Sequence, residues 1–92
     1  MNIEVLARRA QAKWGTISQL DMVVEECSEL INAIQKWKRQ RYSMDDIVRE
    51  GVDVEIMIEQ LKIIADLPPL WRNVRADKLE RLEKRLRQSD DA

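Results

Sequence analysis

Two short acidic motifs carry residue types and spacings suited to chemistry. Glu26 and Glu29 stand three apart inside EECSEL, and Glu50 and Asp53 stand three apart inside EGVDVE. On a helix, residues three apart share a face. If the two helices pack antiparallel, four carboxylates converge across one interface. There they repel in a low dielectric unless a cation sits among them. An all-oxygen donor set suits a hard divalent ion, so Mg²⁺ is the natural candidate, with Mn²⁺ as an alternative. Spacing alone is weak evidence, because Asp77/Glu80 and Glu80/Glu83 repeat it, as solvated helix faces do. The setting separates the first two pairs from the others. Met22 and Ala33 share the face of Glu26 and Glu29, and Met57 and Ile64 sit beside Glu50 and Asp53.

The chain has no histidine, which excludes a Ser-His-Asp triad, a Cys-His pair and a His-ligated zinc site. Acid–base work must fall to carboxylates, Lys, Tyr or metal-bound water. Cys27 is the single cysteine, so no disulfide can form within the chain, and a reducing cytoplasm is the expected setting. Sixteen basic and 17 acidic residues give a formal net charge of −1. That balance gives no reason to expect a nucleic acid polymer or an anionic membrane as partner. No apolar run is long enough to span a bilayer, and the start lacks the apolar core of a signal peptide.

These motifs must be positioned by helices. With 36% charged residues, two glycines, two prolines and a clear three-to-four periodicity, the chain reads as all-α and as one domain over residues 1–92. A first helix runs from about Asn2 to Trp14, and Gly15 and Thr16 mark a stop and a restart. A second helix runs from about Ser18 to Arg39. Its Leu20, Val23, Val24, Cys27, Leu30, Ile31 and Ile34 form one apolar stripe, with Glu26 and Glu29 nearly opposite.

Ser43 and Asp46 then read as an N-terminal capping pair for a third helix, from about Met44 to Ala65. This helix is apolar on two sides: Ile47, Gly51, Val54, Ile58 and Leu61 on one, Val52, Ile56 and Ile63 on the other. Such a helix is central in its own bundle or shared with a second subunit. Gly51 is costly inside a helix, and close approach of another backbone is one reason to keep it. Pro68 and Pro69 break the chain. A fourth helix from about Trp71 to Gln88 has a thin seam of Val74, Leu79, Leu82 and Leu86, and the closing SDDA is expected to fray. The expected architecture is a four-helix bundle with helices two and three as an antiparallel pair. A domain this small has a modest core, so association is expected.

The combination Glu26-x-x-Glu29, a gap of twenty residues, then Glu50-x-x-Asp53 resembles the signature of the MazG-like all-α nucleoside triphosphate pyrophosphohydrolases. KWGTISQLDMVVEECSELINAI is similar to that family's first motif helix, EGVDVEIMIEQL to its second, and DKLERLEKR to the basic-acidic motif of its last helix. The resemblance covers about Lys13 to Arg85. It implies that Glu26, Glu29, Glu50 and Asp53 hold Mg²⁺, which grips the triphosphate of a ribo- or deoxyribonucleotide. Water attacks a phosphorus, the α–β anhydride breaks, and nucleoside monophosphate and pyrophosphate leave. It also implies a homodimer, or a tetramer built from dimers, whose site borrows residues from a neighbour's fourth helix. Lys78 and Arg85 occupy positions similar to the family's phosphate-facing basic residues, with Arg81 one turn from each. Where some relatives carry Asn between them, this chain has Leu82.

Other residues have two readings each. Glu25 is a candidate base or outer-shell acceptor, or a solvated residue turned about 100° from Glu26. Trp14 and Trp37 are candidate walls for a base, or core residues. Gln19 offers a donor and an acceptor to a base edge, or lies on the surface near the start of helix two. Lys36, Lys38, Arg39 and Arg41 form a rim that steers an anionic nucleotide, or simply complement a helix C-terminus. Two functions follow from these readings: a Mg²⁺-dependent nucleotide pyrophosphohydrolase, and a non-catalytic helical dimerisation or regulatory module. A phosphoribosyl-ATP pyrophosphohydrolase would share the fold and chemistry of the first.

Overall fold

A computed structural model describes residues 1–91. It is all-helical, with α1 over Ile3–Trp14, α2 over Thr16–Lys38, α3 over Met44–Ala65 and α4 over Pro68–Asp91, and no strand among the described residues. Local chemistry sets the boundaries. Asn2 caps α1, its side-chain oxygen accepting from the Val5 N–H at 3.2 Å. Gly15 ends α1 and starts α2 in one residue. Its φ of +81° lies where a side chain would be strained, and its N–H closes α1 on the Gln11 carbonyl at 2.9 Å. Thr16 is already helical, two residues before the expected start, and the Gln11 amide donates to its hydroxyl at 2.7 Å across the bend.

The expected Ser43–Asp46 pairing at the head of α3 is present. The Asp46 carboxylate accepts from the Ser43 N–H at 2.9 Å and from its hydroxyl at 3.2 Å. Asp66 ends α3 in the left-handed conformation. α4 differs from expectation at both ends. It begins at Pro68 rather than Trp71, because the first helical turn needs no N–H from proline. It continues through Ser89–Asp91, where fraying is expected from the sequence; Ala92 lies outside the described residues.

Helices α2 and α3 form the main packed pair, and α1 lies against both, chiefly α3. The connection over residues 39–43 is too short to let two long packed helices run parallel, so α2 and α3 are antiparallel. The α2 face turned inward carries Gln19, Met22, Glu26 and Ala33, all buried or half-buried. The apolar stripe of α2 is mostly elsewhere: Leu20, Val24, Ile31 and Ile34 are exposed. On α3 the first stripe, Ile47, Gly51, Val54, Ile58 and Leu61, is half-buried, while Val52 and Ile56 of the second are exposed. Among the described residues, Ala7, Ala33 and Met57 are the buried apolar ones. Alanines at two such positions let the helix axes approach closely.

α4 does not pack along the other helices, so the single chain is three packed helices with a fourth standing off, rather than a closed four-helix bundle. The radius of gyration, 16.4 Å, exceeds the roughly 12 Å of a compact domain of this length. Lys62 ties the base of α4 to α3, its ammonium 5.4 Å from the Trp71 ring and 3.0 Å from the Glu59 carboxylate.

Gly51 is not explained by close approach within the chain, because a Cβ built there meets nothing within 4 Å. Gly51→Ala is therefore expected to stabilise the chain by about 0.5–1 kcal/mol, through helix propensity alone. The shift of the urea midpoint measures this, and a destabilised variant would place another backbone against that position.

Candidate metal centre

The antiparallel α2–α3 pair brings the two acidic motifs together. Glu26 and Glu29 lie roughly three turns before the connection, and Glu50 and Asp53 two to three turns after it, so the hairpin sets them opposite one another. Each of the four offers a carboxylate oxygen, and these oxygens all lie within 4.8 Å of one another. Glu26 and Glu50 are half-buried, while Glu29 and Asp53 are exposed at the rim.

Burial first, and like charge after it, act against ionisation of two of the four carboxyls. Burial, followed by the neighbouring Glu29 and Asp53 carboxylates, raises the Glu26 carboxyl above its ordinary 4.5. Burial and the Glu29 charge, then Asp53 and Asp46, do the same for Glu50. One oxygen of each, Glu26 Oε2 and Glu50 Oε2, is buried with no hydrogen-bond donor among the described residues. A buried acceptor left unpartnered is unfavourable, and here two of them belong to the same acidic cluster. Hard oxygen donors from several side chains, with unused lone pairs and excess negative charge, fit a divalent cation such as Mg²⁺.

The other expected residues are placed less uniformly. Glu25 is exposed and is not one of the converging carboxylates. Gln19 is not a surface residue. It is 2% exposed on the inward face of α2, and its Oε1 has no donor. Trp14 is exposed at the end of α1, with the Lys13 ammonium 5.4 Å from its ring. Trp37 is exposed near the end of α2. Lys36 does not stand free in a basic rim, since its ammonium donates to the Tyr42 hydroxyl at 3.2 Å and lies 4.6 Å from that ring.

Lys78, Arg81 and Arg85 line one shallow surface depression on α4 together with Leu82. They make no ion pair among the described residues, whereas Lys84 and Arg87 on the same helix pair with Glu80 and Glu83. Because α4 does not pack along α2, the chain does not by itself lay these cations over the carboxylates.

Gln11 was not indicated by the sequence pattern. Its Oε1 is buried without a donor, like that of Gln19. A glutamine one turn before a helix end ordinarily faces water, and no spacing signal marks this one as buried. Compared with protein-family models, curated proteins and solved structures, the chain finds no match.

The raised carboxyls give the metal-free chain a defined pH response. A carboxyl whose value rises on folding holds more proton in the folded state, between 4.5 and the raised value. Its favourable contribution is complete below about 4.5 and is lost as pH rises through the raised value. The melting midpoint of a Glu26→Gln/Glu50→Gln variant is therefore expected to exceed that of the wild type by a margin that grows as pH rises through this window. A margin constant with pH would contradict the raised Glu26 and Glu50 carboxyls.

Proposed function

We propose that the chain is a Mg²⁺-dependent nucleoside triphosphate pyrophosphohydrolase of the MazG-like kind, acting in the cytoplasm. The observation that carries this reading is the convergence of four carboxylates from two helices, with two buried oxygens lacking any donor. Glu26, Glu29, Glu50 and Asp53 would hold the ion. Bound there, Mg²⁺ screens the charge of a polyphosphate and polarises the phosphoryl group under attack. The reaction adds water across the α–β anhydride, forming one P–O bond and breaking another, to give nucleoside monophosphate and pyrophosphate.

In a histidine-free chain the proton of that water passes to a carboxylate. Glu25, exposed and one residue along from Glu26, fits a solvated helix position better than a base. Lys78, Arg81 and Arg85 supply unpaired positive charge for a phosphate tail. With α4 standing away from its own α2, these cations reach the site when α4 of a second copy lies across it. A homodimer, or a tetramer of dimers, is the form in which the site is complete. Trp14, Trp37 and Gln19 remain the candidates for contact with the base, with Gln19 favoured by its unsatisfied buried oxygen.

The second reading, a non-catalytic helical interaction module, is favoured by the extent of exposed apolar surface on α2 and α4. Mg²⁺ separates the two. A ligand that binds only the folded chain stabilises it by about 2.7 kcal/mol at a hundredfold excess over its dissociation constant. Under the pyrophosphohydrolase reading, Mg²⁺ raises the melting midpoint, and a panel of nucleoside triphosphates yields pyrophosphate from at least one. Glu29→Gln abolishes both effects while leaving the far-UV spectrum unchanged. Full turnover in Glu29→Gln would remove the reading, and no Mg²⁺ shift together with no turnover of any triphosphate would favour the interaction module.

A further inference from the structure

α4 meets the rest of the chain only at its base. Over residues 68–90, Trp71 alone is half-buried, and the other side chains of α4 are exposed. The link from α3 is two residues long, with Asp66 left-handed at a φ of 50°. The Trp71 N–H already closes the new helix on the Leu67 carbonyl at 2.9 Å. The Trp71 ring sits in this elbow with the Lys62 ammonium 5.4 Å from its centre, and the Glu59 carboxylate holds that ammonium at 3.0 Å. Trp71 and Lys62 both line two cavities, one on each side of the elbow.

The larger cavity, about 720 Å³, is the cleft between α3 and α4. Ile58 and Ala65 belong to its α3 wall, and Val74, Leu79 and Leu82 to its α4 wall. Apolar walls favour closing the cleft, since closure removes them from water. The charges act the other way. Lys62 lines the α3 wall and Arg75 and Lys78 the α4 wall, and among the described residues no carboxylate lines the cleft. Glu59, the partner of Lys62, lines the smaller cavity of about 270 Å³ instead. Arg75 and Lys78 make no ion pair among the described residues. Closing α4 onto α3 brings like charges together and strips them of water.

We infer that Lys62, seated against Trp71, is a positioning residue that holds α4 off its own α3. Its charge opposes Arg75 and Lys78 across the cleft, and its ammonium pins the ring that fills the elbow. α4 is thereby kept extended, with Lys78, Arg81 and Arg85 open to a phosphate tail. That use rests on the proposed function, whereas the bracing of α4 does not. An uncharged side chain at position 62 removes the obstacle and leaves the apolar walls to close.

Spin labels read the angle between the helices. In a Cys27→Ser background, Val52→Cys and Gln88→Cys carry the labels, and labelled chain is diluted with unlabelled chain so that only distances within one chain are read. In Lys62→Met and in Trp71→Ala, the distance between labels is expected to fall by roughly 10 Å, as α4 settles at the ~8–10 Å axis separation of packed helices. Lys62→Arg keeps a cation over the ring and is expected to keep the wild-type distance. The far-UV spectrum and the Mg²⁺-dependent melting shift stay as in the wild type, because the carboxylates lie on α2 and α3. Turnover of each common ribo- and deoxyribonucleoside triphosphate gives the second readout. In Lys62→Met, KM for any that is hydrolysed is expected to rise about tenfold at unchanged kcat, because only the fraction of chains with α4 extended binds the tail. Lys62→Arg restores the wild-type KM. An unchanged distance in both Lys62→Met and Trp71→Ala, or a longer and broader one, overturns the brace. A shorter distance with unchanged KM overturns its role in the reaction. Absence of turnover in the wild type would remove the pyrophosphohydrolase reading, and that role with it, while the distances still decide the brace.

Discussion

Four carboxylates share one stretch of the α2–α3 interface, and like charges at that separation resist being there together. The arrangement is a consequence of folding rather than an accident of the surface. A hairpin with a five-residue connection fixes which residues face one another, and the covered face of α2 is the one bearing Gln19, Glu26 and Ala33. Burial then raises the Glu26 and Glu50 carboxyls, so the helix pair carries a standing electrostatic cost. Under the proposed function, a divalent ion held by oxygen would offset that cost. The same choice of inward face leaves the most apolar side of α2 outside.

The incomplete core and the proposed site are thus connected. Few apolar side chains are fully buried, α4 stands apart, and α2 shows a ridge of aliphatic residues to water. A chain of this length has little surplus stability with which to carry both an acidic cluster and an open ridge. Association and cation binding, both proposed for this chain, would each offset part of that deficit. The proposed catalytic assembly needs both, because the free cations of α4 do not reach the chain's own carboxylates.

Much of this was legible in the sequence, for identifiable reasons. The helices are bounded by residues with strong local preferences, such as Gly15, Ser43 with Asp46, and Pro68 with Pro69. The convergence of Glu26, Glu29, Glu50 and Asp53 follows from two spacings and one short connection. What the sequence left open was direction. Helical periodicity groups residues on faces but does not say which face is covered, and α2 has a polar face inward and an apolar one outward. Gly51 suggested a close backbone that the chain does not contain. Gln19 and Gln11 are buried through tertiary packing, which no local pattern announces. The detachment of α4 was also hidden, since its seam of leucines reads equally well as packed on its own chain or on another.

The central claim is that the four carboxylates act as one site that a divalent cation neutralises. Titration calorimetry with Mg²⁺ at mildly acidic pH, repeated in buffers of different ionisation enthalpy, tests it most directly, because binding must displace protons from carboxyls whose affinity for them is raised. The account predicts saturable binding accompanied by net proton release, and loss of both in a chain with Glu26 and Glu50 changed to Gln. No saturable heat in the wild type, or undiminished binding after those two changes, would contradict it.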